Sequence, residues 1–272
     1  MANALNTFNA LMPKDGKSAM VGTADYGSLP RQGLDIYAPK AAHGVPVKGP
    51  LPVIVFFYGG SWNSGDRQGY AFVGRALASR GFVVVIPDYR LVPEVHYPEF
   101  LQDNAAAVHW VRQHVQDYGG DPSQIVLMGH SAGAYNAAML ALDPRWLDAD
   151  RASVRGLIGL AGPYDFLPFT GPETKAAFSG TDDLASTQPI NHVAPGAPPA
   201  MLASADKDKL VQPRNSDALA AKLLAAGDTV VRVRYTGIEH VGMVTSIAKP
   251  LRWRAPVLAD VVRFANQVTV KP

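Results

Sequence analysis

IVLMGHSAGAYNAAMLA, residues 125–141, is the stretch on which the reading of this chain turns. Ile125-Val126-Leu127-Met128 is a short apolar run, long enough for one buried strand. From Tyr135 the chain is Ala-rich with Leu and Met, which favours helix. Between them stands Gly129-His130-Ser131-Ala132-Gly133, a G-x-S-x-G at a strand-to-helix junction, the context in which such a motif presents a serine. So tight a turn forces Ser131 into a strained, positive-φ conformation. A Cβ at 129 or 133 would collide with the adjoining helix or strand, so both flanks are Gly. The strain lifts the Ser131 hydroxyl clear of the sheet and aims a helix N-terminus at charge developing beside it.

Outward from that turn, strands alternate with helices. Residues 2–17 are weakly patterned and read as a surface arm or short helix. Residues 21–26 and 34–37 look like two edge strands, and Leu34-Asp35-Ile36-Tyr37 alternates as a half-exposed strand does. A Gly/Pro loop spans 40–50, and 51–58 (LPVIVFFY) is a continuous apolar strand suited to a sheet covered on both faces. Helix is expected over 70–79, 100–118, 215–226 and 256–268, and strand over 82–86, 154–160, 200–204 and 230–235. Residues 162–199 are rich in Pro, Gly, Thr and Phe without a long period, and so long an irregular region suggests a lid or a pocket wall. The pattern predicts one α/β domain over residues 1–272: a mostly parallel, doubly wound sheet of about eight strands, antiparallel only at its start, with helices on both faces.

Composition excludes several classes. The chain has 272 residues, 47% of them hydrophobic, enough for one sizeable core. Its formal charge is +2, with 25 basic and 23 acidic residues and no basic stripe, so nucleic acid is not an expected partner. There is no cysteine, which excludes disulfides, thiolate metal sites and a cysteine nucleophile. No apolar run reaches membrane-spanning length, and residues 1–17 lack the charged start and apolar core of a secretory signal. The expectation is a soluble protein, cytoplasmic or exported after loss of a signal that this sequence does not contain. No metal cluster or dinucleotide fingerprint is visible, so no metal and no cofactor are expected. Oligomeric state is not legible.

A serine hydroxyl needs a base within hydrogen-bond reach, and the base needs an acid to orient it. After the 135–141 helix only His192 and His240 remain as bases. His240 follows the last strand in Tyr235-Thr236-Gly237-Ile238-Glu239-His240-Val241, from which an imidazole reaches the C-terminal edge of the sheet. His192 lies in the Pro-rich segment, His43, His96, His109 and His114 read as surface or helix-face residues, and His130 reads as a pocket residue. The acid is expected after 200–204, where Asp206 and Asp208 both stand. The oxyanion formed on attack needs backbone donors. Ala132 N–H is one, and Gly59-Gly60-Ser61-Trp62, directly after the 51–58 strand, offers Gly60 and Ser61. By position alone Trp62, His130, Tyr164, Phe166 and Val241 are expected to shape the pocket.

Together these pieces resemble the α/β-hydrolase serine esterases, in particular the hormone-sensitive-lipase-like, feruloyl-esterase-like and arylformamidase-like branches. The resemblance runs from Leu34 to about Phe264. It is carried by Tyr58-Gly59-Gly60-Ser61-Trp62, Asp88-Tyr89-Arg90-Leu91 with Pro93-Glu94 and Tyr97-Pro98, Gly129 to Gly133, Asp208 to Val211, and His240. It implies a Ser131–His240–Asp208 triad. In the family the acid is followed by an apolar residue two positions on and then by Val, both tucked into the core; Asp208-Lys209-Leu210-Val211 fits, whereas a frame on Asp206 would put a charge and a lysine at those points. Where the family has His before the oxyanion glycines, this chain has Tyr58, which bears on the loop's anchoring and the pocket wall. Asp88-Tyr89-Arg90 reads as a charged pair beneath the site. The implied activity is hydrolysis of a small-molecule carboxylic ester, of short acyl or aryl type, with arylformamide or small-amide cleavage as the variant. A catalytically silent binding module is the contrasting class; it normally lacks a member of the triad.

Overall fold

The computed structural model describes residues 2–40 and 49–269; His43 and most of the loop expected over 40–50 lie outside them. The strands are β1 (Ser18–Asp25), β2 (Gly33–Pro39), β3 (Leu51–Phe57), β4 (Val83–Pro87), β5 (Gly120–His130), β6 (Val154–Leu160), β7 (Ala200–Ala205) and β8 (Val230–Tyr235). The helices are α1 (Ala2–Leu11), α2 (Ala71–Ala78), α3 (Glu99–His114), α4 (Ala132–Leu142), α5 (Pro172–Ala177), α6 (Arg214–Ala225), α7 (His240–Thr245) and α8 (Val257–Thr269). The strands form one sheet in the order β1-β2-β4-β3-β5-β6-β7-β8. β2 pairs antiparallel with β1 and β4, and every other pair is parallel.

Each central strand is apolar on both faces because both are covered. Ile54, Phe56, Val126 and Met128 face a core completed by α2 and α8. Val53, Val55, Ile125 and Leu127 face the other, completed by α3, α4 and α6. Alternation along the strand thus feeds two cores from one apolar run.

The sheet's start departs from the sequence reading. Of the two strands expected at the edge, only β1 lies there; β2 lies between β1 and β4 and is buried along nearly its whole length. Asp35, which suggested a half-exposed strand, is buried and accepts from Arg67 Nε at 2.9 Å. A buried carboxylate with a guanidinium partner mimics an exposed position in any hydropathy pattern. The segment expected as one helix over 100–118 is α3 followed by a 3₁₀ turn at Val115–Tyr118.

β5 ends between β3 and β6. Gly129 lies opposite Phe57 on one side and Gly159 on the other. The G-x-S-x-G turn therefore stands at the middle of the sheet's C-terminal edge, with the loops after β3, β6, β7 and β8 around it.

Candidate active site

Ser131 occupies the turn between β5 and α4 with φ 56° and ψ −125°. Its N–H donates to Leu160 O at 2.9 Å, which ties the turn to β6. A Cβ at Gly129 would lie 2.1 Å from Gly133 O, and one at Gly133 would lie 2.0 Å from Phe57 O. The two glycines are thus required by backbone, not by flexible side chains that could yield.

His240 is the first residue of α7, a short helix where the sequence suggested only loop. Its Nε2 lies 2.8 Å from Ser131 Oγ and its Nδ1 lies 2.7 Å from Asp208 Oδ2. A carboxylate only accepts, so Nδ1 carries the hydrogen and Nε2 is left bare to accept from the serine. Asp208 is buried, and its second oxygen accepts the N–H groups of Leu210 and Val211 at 2.9 and 2.8 Å. Burial pushes this carboxyl up, but the His240 hydrogen bond and charge and the two backbone donors outweigh it and hold it below its ordinary value.

Asp206, the other candidate acid, accepts the Gly237 N–H at 2.8 Å and braces the loop after β8. The expected reason for preferring Asp208 needs correcting. Leu210 is not tucked into the core; it is 63% exposed. What the segment supplies is backbone: the chain curls back so that two N–H groups meet one Asp208 oxygen.

The loop after β3 approaches Ser131 closely. A Cβ at Gly59 would lie 2.8 Å from Ser131 Cβ. Gly60, Ser61 and Trp62 all have positive φ, at 136°, 49° and 59°, which turns this stretch of backbone about the serine. Gly60 and Ser61 line a cavity with Ser131 and His240, and Ser61 also lines one with Ala132. Ala132 N–H belongs to the first turn of α4, where helical N–H groups have no intrahelical partner.

Tyr58, standing where the family has His, does not reach the pocket. It is fully buried and stacked between Tyr70 and Tyr89, at ring centroid distances of 5.5 and 4.9 Å. Its hydroxyl donates to Asp88 Oδ1 at 2.7 Å and accepts from Arg31 at 2.8 Å. Tyr89 Oη donates to Tyr58 O at 2.9 Å, fixing the strand end from which the glycine loop departs. Asp88 does not pair with Arg90, as the sequence suggested. It pairs with Arg67 at 2.5 Å and with Arg31 at 3.8 Å, while Arg90 pairs with Asp103 on α3 at 2.8 Å.

Of the five expected pocket residues, four line cavities at Ser131 and one does not. Trp62 and Phe166 border a cavity of about 450 Å³, and His130 and Val241 border a second of about 330 Å³. Trp62 Nε1 donates to Asn136 Oδ1 at 3.0 Å, and its ring meets Tyr135 and Phe178 edge-on. Tyr164 is the exception. It is fully buried, and its ring fills the slot that Gly159 and Gly162 leave open. The sequence missed Leu5 and Phe8 of α1, which border the smaller cavity. An arm without strong period gave no signal that it folds back over the serine.

His130 is buried beside His240, with ring centroids 4.9 Å apart. Burial, with the neighbouring imidazole, pushes its pKa down to about 3, so the ring is neutral. Nε2 faces the His240 carbonyl at 3.1 Å and therefore carries the hydrogen. The other histidines among the described residues are engaged elsewhere: His96 with Ala176 O, His109 with Asp150, His114 with Trp110 and His192 with Ser186 O. Among the described residues, no group of three or more His, Asp or Glu side chains is disposed to hold a metal ion.

Comparison with known proteins adds to this geometry. The BD-FAE family matches residues 34–223. Esterase LipC of Mycobacterium tuberculosis is 29% identical over 89% of this chain and 64% of its own length. Isoprenylcysteine alpha-carbonyl methylesterase ICME of Arabidopsis thaliana is 27% identical over 86% of this chain and 59% of its own. The chain spans about half to two thirds of the length of such relatives. Among solved structures, a thermostable esterase from Pseudomonas putida ECU1011 superposes with a TM-score of 0.77 at 26% identity, covering 99% of this chain and 89% of that one. The carboxylesterase EstE1, from a metagenomic library, has a TM-score of 0.80 at 21% identity over 98% of this chain and 94% of that one, a likeness of fold.

Proposed function

This chain belongs to the BD-FAE family, and we propose that it hydrolyses carboxylic esters by two-step acyl transfer at Ser131. One observation carries the reading: Asp208, His240 and Ser131 form a continuous hydrogen-bonded line, with contacts of 2.7 and 2.8 Å, at a turn that opens on two cavities. Ser131 Oγ attacks the ester carbonyl while His240 Nε2 takes its proton, and Asp208 stabilises the imidazolium. The N–H groups of Ala132, Gly60 and Ser61 receive the tetrahedral oxyanion. His240 then protonates the leaving alkoxide, and water repeats the sequence on the acyl-enzyme to release the acid and restore Ser131. A silent binding module has no need of such a line, and the named esterases among the relatives agree with the catalytic reading.

Residues 162–199 serve as a wall of the larger cavity in this proposal. Tyr135 Oη donates to Thr187 O at 2.8 Å and Asn215 Oδ1 accepts the Tyr164 N–H at 2.9 Å, so the segment is pinned to the domain. It offers no long amphipathic helix, which favours soluble short-acyl or aryl esters over aggregated lipid.

The test is covalent labelling with a fluorophosphonate beside hydrolysis of p-nitrophenyl butyrate. One adduct per chain is expected on the peptide holding Ser131, with loss of hydrolysis in proportion. Labelling elsewhere, or activity surviving full labelling of Ser131, overturns the proposal. Including N-formylkynurenine and methyl ferulate in the same panel ranks formamide and aryl-ester cleavage against it.

A further inference from the structure

Two cavities, one almost wholly apolar and one mixed, meet at Ser131. Ser61, Ser131 and Leu210 line both. His240 lines only the smaller, and Ala132, Trp62 and Phe166 line only the larger. Resting on the ester-hydrolase reading above, we propose that the smaller cavity, closed on one side by α1, is the site of the leaving alcohol, that the larger holds the acyl group, and that the substrates are esters of an apolar alcohol with a more polar acid.

The reaction itself orients the ester. Its leaving oxygen must come within hydrogen-bond reach of His240 Nε2 to receive the proton. The alkyl or aryl group on that oxygen therefore extends along the wall that His240 belongs to. The acyl carbon remains bonded to Ser131 Oγ, so its substituent is left the side of Ala132, Trp62 and Phe166.

The two linings then select different chemistry. Around the smaller cavity Leu5 and Phe8 from α1 face Val241 and Val244 from α7. Besides Ser61, Ser131 and His240, which stand where the two cavities meet or beside it, the polar side chains of this wall direct hydrogen bonds into protein backbone. Tyr70 Oη donates to Gly59 O at 3.4 Å, Thr245 Oγ1 to Val241 O at 3.0 Å, and His130 Nε2 to His240 O at 3.1 Å. Beyond Ser61, Ser131 and His240 the side-chain donors are engaged, and His130 Nδ1 is an unpaired acceptor, so a charged or polyhydroxylated alcohol would lose most of its water without replacement. The larger cavity instead presents Glu173, Lys209 and Arg214, none of which stands in an ion pair among the described residues, beside Gln212 and Thr170.

α1 is fastened as a wall, not draped as an arm. Asn6 Nδ2 donates to Asp66 Oδ2 at 2.9 Å, Asn9 Nδ2 to Gln68 O at 2.9 Å, and Arg75 to Asn9 Oδ1 at 2.6 Å. Phe8 meets Phe72 of α2 edge-on, with ring centroids 5.3 Å apart. Phe8 is thereby held in the wall of the cavity, and in this proposal it bounds the space open to the alcohol.

Two ester series separate the cavities. In the first, acetates of methanol to hexanol keep the acyl group fixed. In the second, p-nitrophenyl acetate to hexanoate keep the alcohol fixed. For the alcohol series, kcat/KM is expected to climb by roughly fourfold per added CH₂ until the cavity is full. Phe8→Ala should flatten that slope by half or more and keep the order of the acyl series, whereas Phe8→Trp, filling the cavity from the same docked helix, should retain methyl acetate and lose hexyl acetate. Phe166→Ala should reorder the acyl series alone. Transfer of the acetyl group from p-nitrophenyl acetate to added butanol reads the same cavity in reverse, and its partition against water should fall in Phe8→Ala. If both Phe8 variants alter the acyl series and leave the alcohol slope and the butanol partition intact, the assignment of cavities is overturned while hydrolysis stands. If hydrolysis persists in Ser131→Ala for every ester, the underlying reading fails instead.

Discussion

Two clusters of buried polar groups flank the end of β3, and they use the same residue chemistry in opposite ways. In one, Asp88 accepts from Tyr58 and from the Arg67 backbone at 2.7 Å each and pairs with the Arg67 guanidinium, which also reaches Asp35. Arg31 adds bonds to Tyr58, Tyr89 O and Gly65 O. Every charged oxygen there is answered by protein. In the other, Asp208 is equally well satisfied, but the line runs on through His240 to Ser131, whose hydroxyl opens on the cavities. The first cluster ends in backbone and holds the glycine loop still. The second ends in a proton that can move. A buried carboxylate is a brace or a proton-relay partner according to what lies at the far end of its hydrogen bonds.

Removing the mobile end should have the largest effect. Ser131→Ala is expected to lower kcat on the order of a million-fold with the fold intact, because the three groups act as a unit. More than a per cent of the wild-type rate, in protein free of contaminating esterase, would place the reacting group elsewhere. Asp208→Asn preserves shape but favours the wrong tautomer of His240, with an expected loss of about ten-thousand-fold in kcat and little change in melting temperature. The braced cluster should respond in stability instead. Asp88→Asn removes one of the two carboxylates held by the Arg67 guanidinium, leaving Asp35, and should cost about 2 kcal/mol by urea unfolding, and Tyr58→Phe about 1 kcal/mol. A kcat loss larger than the stability loss in either variant would mean that this cluster takes part in the chemistry.

His130 sharpens the contrast through pH. Its folded-state pKa of about 3 lies below the ordinary histidine value, so the unfolded chain binds the extra proton first as pH falls. The stability due to the neutral ring is present above the unfolded pKa and is lost as pH drops below it. Between pH 7 and pH 5 the wild type should lose about 2 kcal/mol more than His130→Gln, whose amide can still donate to the His240 carbonyl. Equal acid sensitivity of the two proteins would show that His130 titrates normally. The smallest effect belongs to Asp206→Asn, expected to cost tenfold or less in kcat, because Asp206 acts only through the loop it braces at Gly237. Its ranking above Asp208→Asn would exchange the two acids.

Legibility followed the range of the interactions. The strand ahead of the Ser131 turn, the turn itself and the placing of His240 after the last strand were readable because strand, glycine and helix signals are local. The sequence pointed to Asp208, and Asp208 rather than Asp206 stands beside His240, but the expected reason did not hold: Leu210 is exposed, and the segment meets the Asp208 carboxylate with its backbone N–H groups. Side-chain burial leaves a trace in composition; the direction of a backbone amide leaves almost none. Tyr164 failed for a related reason, since nothing in its neighbourhood of sequence says that glycines at 159 and 162 open a slot for its ring.

By itself the sequence determined the alternation of strand and helix, the strained serine between two obligatory glycines, and the residue types available to act as base and acid. These follow from local sterics and from side-chain chemistry that no fold can alter. Only the tertiary structure decided that Asp88 belongs to Arg67 and not to Arg90, that Tyr58 is a strut beneath the glycine loop, that β2 lies inside the sheet, and that α1 returns to wall a cavity at Ser131. Each of these rests on contacts between residues distant in the chain, and such contacts are set by packing two cores on one sheet, which no local pattern encodes.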